Sequence, residues 1–243
     1  MRTALALLIV ACLAPRTAHA GRDFYGWLYG TEVMPERGVE LQTWIYEQND
    51  KYGTHGKETW LWWGPLIGVT DQLELALPIE LWWADADMSH PSFSLKRFGA
   101  EVRYRLVSQD PVDAPRFAPL VRLAIKRDVA LRDDVRLEGD AVASYEVGAL
   151  HALIDVGAVG DITPHDHRFE LHPGAGVSLA VTGELRVGAE IYAEINSQLA
   201  SESWAIVGPD LAWTHGRFWL SGAVGIGIYH VGLAPRVMWG IAF

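Results

Sequence analysis

The chain has 243 residues, with 30 Asp and Glu against 20 Lys and Arg and a formal net charge of −10. This acidic balance argues against a nucleic-acid partner and against binding to an anionic membrane surface, because both attract basic proteins. Cys12 is the only cysteine, which excludes intrachain disulfides and multi-cysteine metal sites.

The first twenty residues have the three parts of a secretory signal peptide. Arg2 is the basic region, residues 4–13 are apolar, and Ala-His-Ala at 18–20 is a cleavage site. We predict that the mature chain begins at Gly21 and has no cysteine. Loss of residues 1–20 leaves 18 basic residues against 30 acidic ones, a formal charge of −12. A lipoprotein signal ending at Cys12 is the alternative, with a shorter apolar core.

From residue 38 onward, apolar and polar residues alternate with a period of two, which predicts β-strands rather than helices. In GVELQTWIYEQ, for example, Val39, Leu41 and Ile45 share one face, and Glu40 and Gln42 share the other. Strands are predicted to begin near residues 39, 58, 72, 94, 117, 134, 150, 168, 185, 204, 217 and 235. Tight turns and longer polar connections alternate between them. Residues 108–116 form a long connection where a short turn is expected.

This pattern predicts an all-β fold, a single antiparallel transmembrane β-barrel of about 12 strands spanning residues 38–243. A lipid environment offers no hydrogen bonds, so strands cross it only in a closed sheet. Short turns and both chain ends would lie in the periplasm, with longer loops outside the cell. Residues 21–37 are then a periplasmic N-terminal segment, and the predicted location is the bacterial outer membrane.

Two other architectures share parts of this pattern. A soluble lipocalin-like barrel or sandwich also alternates, with its apolar face inward. The number of bulky apolar faces exceeds what one small core would hold. A transmembrane helix at residues 218–234 is disfavoured by its four glycines and by Pro235.

The last predicted strand resembles the assembly signal of bacterial outer-membrane proteins, in which alternating apolar residues end on an aromatic one. Val237, Trp239, Ile241 and Phe243 fit that pattern. The resemblance implies recognition by the outer-membrane assembly machinery, in addition to contact with outer-membrane lipid.

The opening YGTEVMPERGVELQTWIYEQ and the following GVTDQLEL resemble barrels grouped as putative phenol-degradation MetA-pathway transporters. The similarity covers the first two hairpins and the general architecture, and it carries no catalytic residues. It implies transport of a small, aromatic compound.

On each strand the polar residues occupy every second position, and this face of the strand is predicted to point into the lumen. The charged residues on it would therefore line the lumen. The basic residues are Arg97, Arg103, Arg105, Arg122, Lys126 and Arg136. The acidic residues are Glu40, Glu74, Glu80, Asp155, Glu170, Glu190, Glu194 and Asp210. Basic residues on one side would face Glu170, Glu190 and Glu194 across the bore, and such a field selects polar solutes. Alternatively, the charges pair and close the lumen. Side chains fill a barrel of about eight strands and water fills one of about sixteen, so a barrel of twelve strands lies between these two cases.

Aromatic residues on three consecutive strands are predicted to form a wall at the mouth: Trp44, Tyr46, Trp60, Trp62 and Trp82. Such a wall could stack on a ring-shaped solute, or its members could simply pack on each other. Trp63, Trp213, Trp219 and Trp239 are predicted to point outward, to lipid or the interfacial girdle.

No catalytic, cofactor or metal site is predicted. A Ser–His pair with an orienting carboxylate, as a lipid hydrolase needs, is not found on one face at contact distance. His165 and His167 offer two ligands on a loop, which is too few for a metal.

The favoured function is therefore that of a porin-like narrow channel or uptake barrel for a small solute. A closed barrel with a structural or loop-mediated role is the alternative, and an outer-membrane lipid hydrolase is the least favoured.

Overall fold

The computed structural model describes residues 23–53, 55–85, 92–110 and 112–243. The predicted signal peptide at residues 1–20 lies outside these ranges.

Within these ranges, thirteen strands form one sheet of antiparallel neighbours. Their bounds are β1 Val39–Asn49, β2 Lys57–Gly68, β3 Leu73–Ala76, β4 Ile79–Asp85, β5 Ser92–Arg105, β6 Phe117–Asp128, β7 Val135–Val147, β8 Leu150–Ile162, β9 His167–Ala180, β10 Leu185–Asn196, β11 Trp204–His215, β12 Phe218–Tyr229 and β13 Leu233–Ala242. Two short 3₁₀-helices, Lys51–Gly53 and Ala200–Glu202, lie in connections. All the strands except β4 begin within two residues of a predicted position, which confirms the period-two interpretation; β4 begins at Ile79, within the strand predicted from residue 72.

The sheet closes because β1 pairs with both β2 and β13. In the closing register Ile45 lies opposite Val237, and Leu41 lies opposite Ile241. Strands β3 and β4 together make one crossing of the wall, since both pair with β2 on one side and β5 on the other. The break falls at Leu77 and Pro78, where proline has no N–H to donate to the ladder. The result is the predicted barrel of twelve crossings.

The two faces of the wall are inverted relative to a soluble protein. Large apolar side chains are exposed on the outer face, for example Leu123 at 56% and Ile154 at 60%. Charged side chains are buried on the inner face, for example Glu40 at 0% and Arg122 at 1%. A soluble barrel would have the opposite arrangement, so the transmembrane interpretation is the one that the structure supports. Residues 218–229 are strand, and among the described residues no helix is long and apolar enough to span a membrane.

Tight connections gather at one end of the barrel, at residues 69–72, 148–149, 181–184 and 216–217. Residues 106–116 are the exception that the sequence pattern had flagged. The structure gives this long connection a role, because the Gln109 side chain binds both backbone groups of Val33. Its amide donates to the Val33 carbonyl at 2.9 Å, and its Oε1 accepts the Val33 N–H at 3.3 Å.

The N-terminal segment is the main correction to the sequence analysis. We expected residues 21–37 to lie in the periplasm, ahead of the barrel. The described part, residues 23–37, instead folds into the lumen from the tight-turn end; we call it the plug segment. Its side chains Tyr25, Leu28 and Met34 are at most 2% exposed. Packing of aromatic residues inside the barrel outweighs the solvation that a periplasmic linker would have.

Trp219 is a second correction, because it points into the lumen rather than outward. It is 1% exposed, and its indole N–H donates to Glu40 at 2.9 Å. The indole N–H is satisfied there, whereas lipid would leave it without a partner. Trp63 and Trp213 do lie on the outer face, at 39% and 37% exposure.

The four residues of the predicted assembly signal lie on or next to β13. Val237, Ile241 and Phe243 are exposed on the outer face, at 38%, 42% and 52%, and Trp239 lies opposite Thr43 of β1. The Phe243 N–H donates to the Val39 carbonyl at 2.8 Å. Recognition of this stripe by the assembly machinery stays a prediction.

We predict that Gly176→Ala loosens the plug segment. A Cβ at Gly176 would overlap the ring of Tyr25 and come within 3.0 Å of Leu28, so both side chains must move. Hydrogen–deuterium exchange of residues 23–33, measured by mass spectrometry in detergent, should become faster than in the wild type.

Gly160→Ala is the matched control, because a Cβ at Gly160 meets no atom within 4 Å. Its exchange in residues 23–33 should equal that of the wild type. Equal exchange in the Gly176→Ala variant would contradict the packing of the plug segment described above.

Candidate functional site

The plug segment is held by backbone hydrogen bonds to carboxylates of the barrel wall. Glu190 accepts the N–H groups of Gly26 and Trp27, each at 3.0 Å. Asp155 accepts the N–H of Tyr29 at 3.1 Å. Charge-assisted bonds of this kind are stronger than bonds between neutral groups. Two of the predicted acidic lumen residues therefore serve to hold the chain's own segment.

The lower part of the plug segment is fixed in the same way. Glu74 accepts the Met34 N–H at 2.7 Å. Arg105, one of the predicted basic residues, donates to the Thr31 carbonyl at 2.8 Å and to the Glu32 carboxylate at 2.6 Å. The segment is thus bonded to strands on several sides of the lumen.

Apolar packing adds to these bonds. Tyr25, Trp27, Leu28 and Val33 form a buried cluster with inward residues from β6 to β13, among them Trp204. Burying a side chain of this size contributes about 1.5–3 kcal/mol. Part of the lumen is therefore an apolar core that the plug segment completes.

The plug segment rises to mid-lumen and turns back. Asp23 closes the loop by accepting the Gly30 N–H at 2.8 Å. At the top, the Trp27 ring lies 5.1 Å from that of Tyr46, 5.4 Å from that of Tyr192 and 5.4 Å from that of Trp204. Trp27 therefore forms the ceiling of the closed half of the lumen.

Arg122 is the centre of an ion network on strands β4 to β8. Its guanidinium binds Asp140 at 2.6 Å, Glu101 at 2.7 Å and Glu138 at 2.6 Å. It also lies over the Tyr29 ring, with the guanidinium carbon 4.2 Å from the ring centre. The network thus joins the wall to the plug segment.

The remaining basic residues extend this network. Lys126 binds Glu80 at 2.5 Å and Glu138 at 2.9 Å. Arg136 binds Glu138 and Asp161, both at 2.8 Å.

Arg103 and Arg97 complete the set at its two ends. Arg103 binds Glu101 at 2.7 Å and Glu74 at 3.6 Å. Arg97 binds Glu80 at 3.4 Å.

This pairing corrects the predicted arrangement of opposed charges. All the predicted lumen charges do lie on the inner face, and Arg97, Arg122 and Lys126 line the same open space as Glu170 and Glu194. These basic residues nevertheless pair with carboxylates on their own or nearby strands, and the plug segment covers Glu190. Buried charges without a partner are costly, so near neighbours pair first.

The acidic residues outside the network have separate partners. Glu170 binds Arg168 at 2.6 Å, and Glu194 accepts the Trp204 indole N–H at 2.7 Å. Glu40 is bonded to Trp219 as described above. The two carboxylate oxygens of Asp210 have no hydrogen-bond partner among the described residues.

Between the plug segment and the longer connections the lumen remains open. This space, which we call the vestibule, has a volume of about 220 Å³. Trp27 and Tyr29 form its floor, and Trp44, Tyr46 and Trp60 line one side. Drug-sized pockets are larger, at roughly 300–1,000 Å³, so the vestibule suits a small molecule.

The predicted aromatic wall is present as a continuous row, but not all of it lines the vestibule. Ring centres are 5.4 Å apart for Trp44 and Tyr46, 6.4 Å for Tyr46 and Trp60, and 6.2 Å for Trp60 and Trp82. Trp62 is 1% exposed and packs in a second buried cluster with Met34 of the plug segment. Its role is therefore in packing, not at the mouth.

One group of possible metal ligands is found among the described residues. Ligand atoms of Glu170, His172 and Glu194 lie within 4.8 Å of one another. Arg168 binds Glu170 through Oε1, and the Trp204 indole N–H binds Glu194 through Oε2, so both carboxylates already have partners on the wall.

His151 of β8 and Ser178 of β9 lie directly opposite each other, which the sequence analysis did not foresee. Their polar atoms have other partners: His151 Nδ1 is 3.0 Å from the Tyr25 hydroxyl, and Ser178 accepts from Arg186 at 3.1 Å. This pair is a contact of the closed half of the lumen.

Sequence reasoning missed the plug segment and several acidic members of the network. Phe24, Tyr25, Trp27, Leu28 and Tyr29 place five large apolar residues within six positions, a composition unlike a solvated linker. The alternation along the strands could have located these acidic residues, because each lies an even number of positions from a predicted lumen charge on its own strand. They are Glu101, Glu138, Asp140 and Asp161.

Comparison with known proteins supports the fold. No family model and no curated protein matches the chain. The KdgM porin structure matches with a TM-score of 0.53 and 10% identity, covering 85% of this chain and 99% of that chain. LpxR from Salmonella typhimurium matches with a TM-score of 0.54 and 11% identity, covering 83% and 99%.

The NanC porin structure matches with a TM-score of 0.53 and 9% identity, covering 84% of this chain and 98% of that chain. At these identities the likeness shows a shared fold, the closed antiparallel barrel of outer-membrane proteins. The resemblance of the first two hairpins to the MetA-pathway group stays a prediction.

We predict that Arg122→Met lowers the free energy of unfolding by about 3–5 kcal/mol, because three carboxylates would lose their shared cation inside the lumen. Urea unfolding of the refolded protein in lipid vesicles, followed by tryptophan fluorescence, measures this loss.

Arg37→Met is the control, because the Arg37 side chain is 84% exposed in its pair with Glu36. Exposed pairs contribute little, so its unfolding should match that of the wild type. A similar small effect for Arg122→Met would show that the network does not stabilise the barrel.

Proposed function

We propose that the protein is an outer-membrane uptake barrel that receives a small solute in the vestibule and passes it only when the plug segment moves. The observation that carries this proposal is the division of the lumen into a filled half and an open half. The vestibule is lined by aromatic and charged side chains, as a solute site requires, and Trp27 and Tyr29 of the plug segment form its floor.

The hold on the plug segment is consistent with a movable element. Three wall carboxylates accept four of its backbone N–H groups, and residues 37–39 continue the chain from the plug segment into β1. Water or ions entering the lumen could replace those bonds one by one. The ion pairs of the network, by contrast, join wall strands to each other and would stay in place when the contact between Arg122 and the Tyr29 ring is broken.

The proposed setting is the outer membrane, reached through the predicted signal peptide and the assembly machinery that would recognise the β13 stripe. The aromatic row and the resemblance to the MetA-pathway transporter group both favour an aromatic solute.

The second candidate is a closed barrel with a structural or loop-mediated role. The observation in its favour is that the plug segment and the ion network together fill the tight-turn half of the lumen. The two candidates differ in one property, whether the plug segment can leave its position.

A disulfide between Thr31 of the plug segment and Ser144 of β7 would test this. Their hydroxyl oxygens are 2.6 Å apart and buried, and Cys12 is the chain's only cysteine. We predict that the oxidised Thr31→Cys/Ser144→Cys variant shows no conductance in planar bilayers. Reduction should restore the discrete current steps expected of the wild type.

The single variants Thr31→Cys and Ser144→Cys are the controls, and both should conduct with or without reductant. Silence of the wild type and of the reduced double variant, across voltages and salts, would favour the closed barrel. Equal conductance of the oxidised and reduced double variant would show that the plug segment does not block the path.

A further inference from the structure

Arg236 occupies an unusual position in the vestibule. It lies on β13 opposite Tyr46 of β1, points into the lumen and is 8% exposed. Three aromatic rings surround its guanidinium carbon, at 4.5 Å for Trp44, 5.3 Å for Trp27 and 5.8 Å for Tyr46. Arginine over aromatic faces gains cation–π attraction, yet ring contacts do not use its N–H groups.

Arg236 is also the exception among the basic residues of the vestibule. Among the described residues, seven Lys and Arg side chains line the vestibule. Six of them have a carboxylate within 4.0 Å: Lys51, Arg97, Arg122, Lys126, Arg136 and Arg168. No carboxylate of the described residues lies within that distance of Arg236.

The N–H groups of Arg236 also lack acceptors within the described chain. Its Nε is buried with no hydrogen-bond partner, as is the Nε of Arg97, Arg105 and Arg122, so the missing carboxylate is what distinguishes Arg236. A charged donor group without an acceptor is destabilising, so a guanidinium that lines an open cavity without a carboxylate partner leaves a place for an external acceptor. The side chain lines the vestibule, so an acceptor in that space can reach it.

We propose that Arg236 is the anion-binding residue of the vestibule and takes the carboxylate of a small, flat organic acid. The planar guanidinium matches the two oxygens of a carboxylate in geometry and charge. The apolar part of the acid would lie against Tyr46 and Trp60, which line the same side of the space. This assignment rests on the proposed function in taking the vestibule as the place where the solute is received.

Charge and size narrow the ligand further. One unpaired guanidinium neutralises one negative charge, while the other basic residues of the vestibule are already paired. A doubly charged phosphate would keep an excess charge near Glu194 and Glu170, which line the same space. The volume of about 220 Å³ limits the acid to a single ring or a short chain.

The site also connects the ligand to the plug segment. Trp27, at the top of the plug segment, supplies one of the three rings around Arg236, and its indole N–H donates to the carbonyl of Ala234, two residues before Arg236, at 3.2 Å. An acid bound to Arg236 would therefore touch the element that closes the lumen.

Binding of benzoate to the purified mature protein, measured by calorimetry in detergent, tests the proposal. Benzoate should bind the wild type saturably, and the Arg236→Gln variant should lose at least about tenfold in affinity, as expected when a charge-assisted pair is removed. Benzyl alcohol, a neutral match, should bind both proteins equally weakly. Arg37→Gln, which alters a solvent-exposed arginine at the tight-turn end of the barrel and outside the vestibule lining, should bind benzoate like the wild type.

Arg236→Lys keeps the positive charge but not the planar guanidinium, and it is the variant to measure if Arg236→Gln fails to fold. It should bind benzoate at an affinity between those of the wild type and the Gln variant; wild-type affinity in this variant would overturn the role of the fork. No benzoate binding by the wild type, or equal binding by Arg236→Gln, would overturn the proposal. Displacement of benzoate by an equal concentration of inorganic phosphate would overturn the assignment to a carboxylate.

The same titration on the oxidised Thr31→Cys/Ser144→Cys variant separates this proposal from the proposed function. If the oxidised variant binds benzoate at Arg236, the result supports the binding site whether or not the barrel conducts. A barrel that conducts on reduction but binds no benzoate overturns the site and leaves the proposed function standing.

Discussion

The structure depends on one constraint, that a sheet surrounded by hydrocarbon must satisfy all its backbone hydrogen bonds within itself. The pairing of β1 with both β2 and β13 meets this constraint by closing the wall. Closure in turn separates two environments, so that each strand presents apolar side chains outward and polar ones inward. Even the interrupted crossing of β3 and β4 keeps this arrangement, because its break at Leu77 and Pro78 leaves pairing intact on both sides.

A closed wall of this size encloses a narrow interior, and the polar groups inside it also need hydrogen-bond and ion-pair partners. Charges there cannot rely on bulk water, so Arg122 binds three carboxylates and Glu190 accepts two N–H groups of the plug segment. The backbone N–H groups of the plug segment donate hydrogen bonds to wall carboxylates such as Glu190. Arg236 is the guanidinium that this arrangement leaves without an acceptor among the described residues, and it lies where the filled half of the lumen meets the vestibule.

The wall could be predicted from the sequence because its signal is local. Alternation along one strand, as in Val39 to Ile45, depends only on which face meets lipid, so strand positions and the inward parity of residues such as Arg103 and Glu80 follow directly. Trp219 shows the limit of that signal. Its large ring suggested lipid contact, but its indole N–H required the acceptor that Glu40 provides inside the lumen.

The sequence by itself determined the closed antiparallel barrel, the number of its crossings and the charges on its inner face, since each follows from a repeat of two residues. Only the tertiary structure decided that residues 23–37 enter the lumen, that Arg122 rather than another basic residue is the centre of the ion network, and that Arg236 has aromatic rings but no carboxylate of the described residues beside its guanidinium. These outcomes depend on which side chains from distant strands meet in a space of fixed size. That information lies in the closure and register of the whole barrel and in no single segment of the chain.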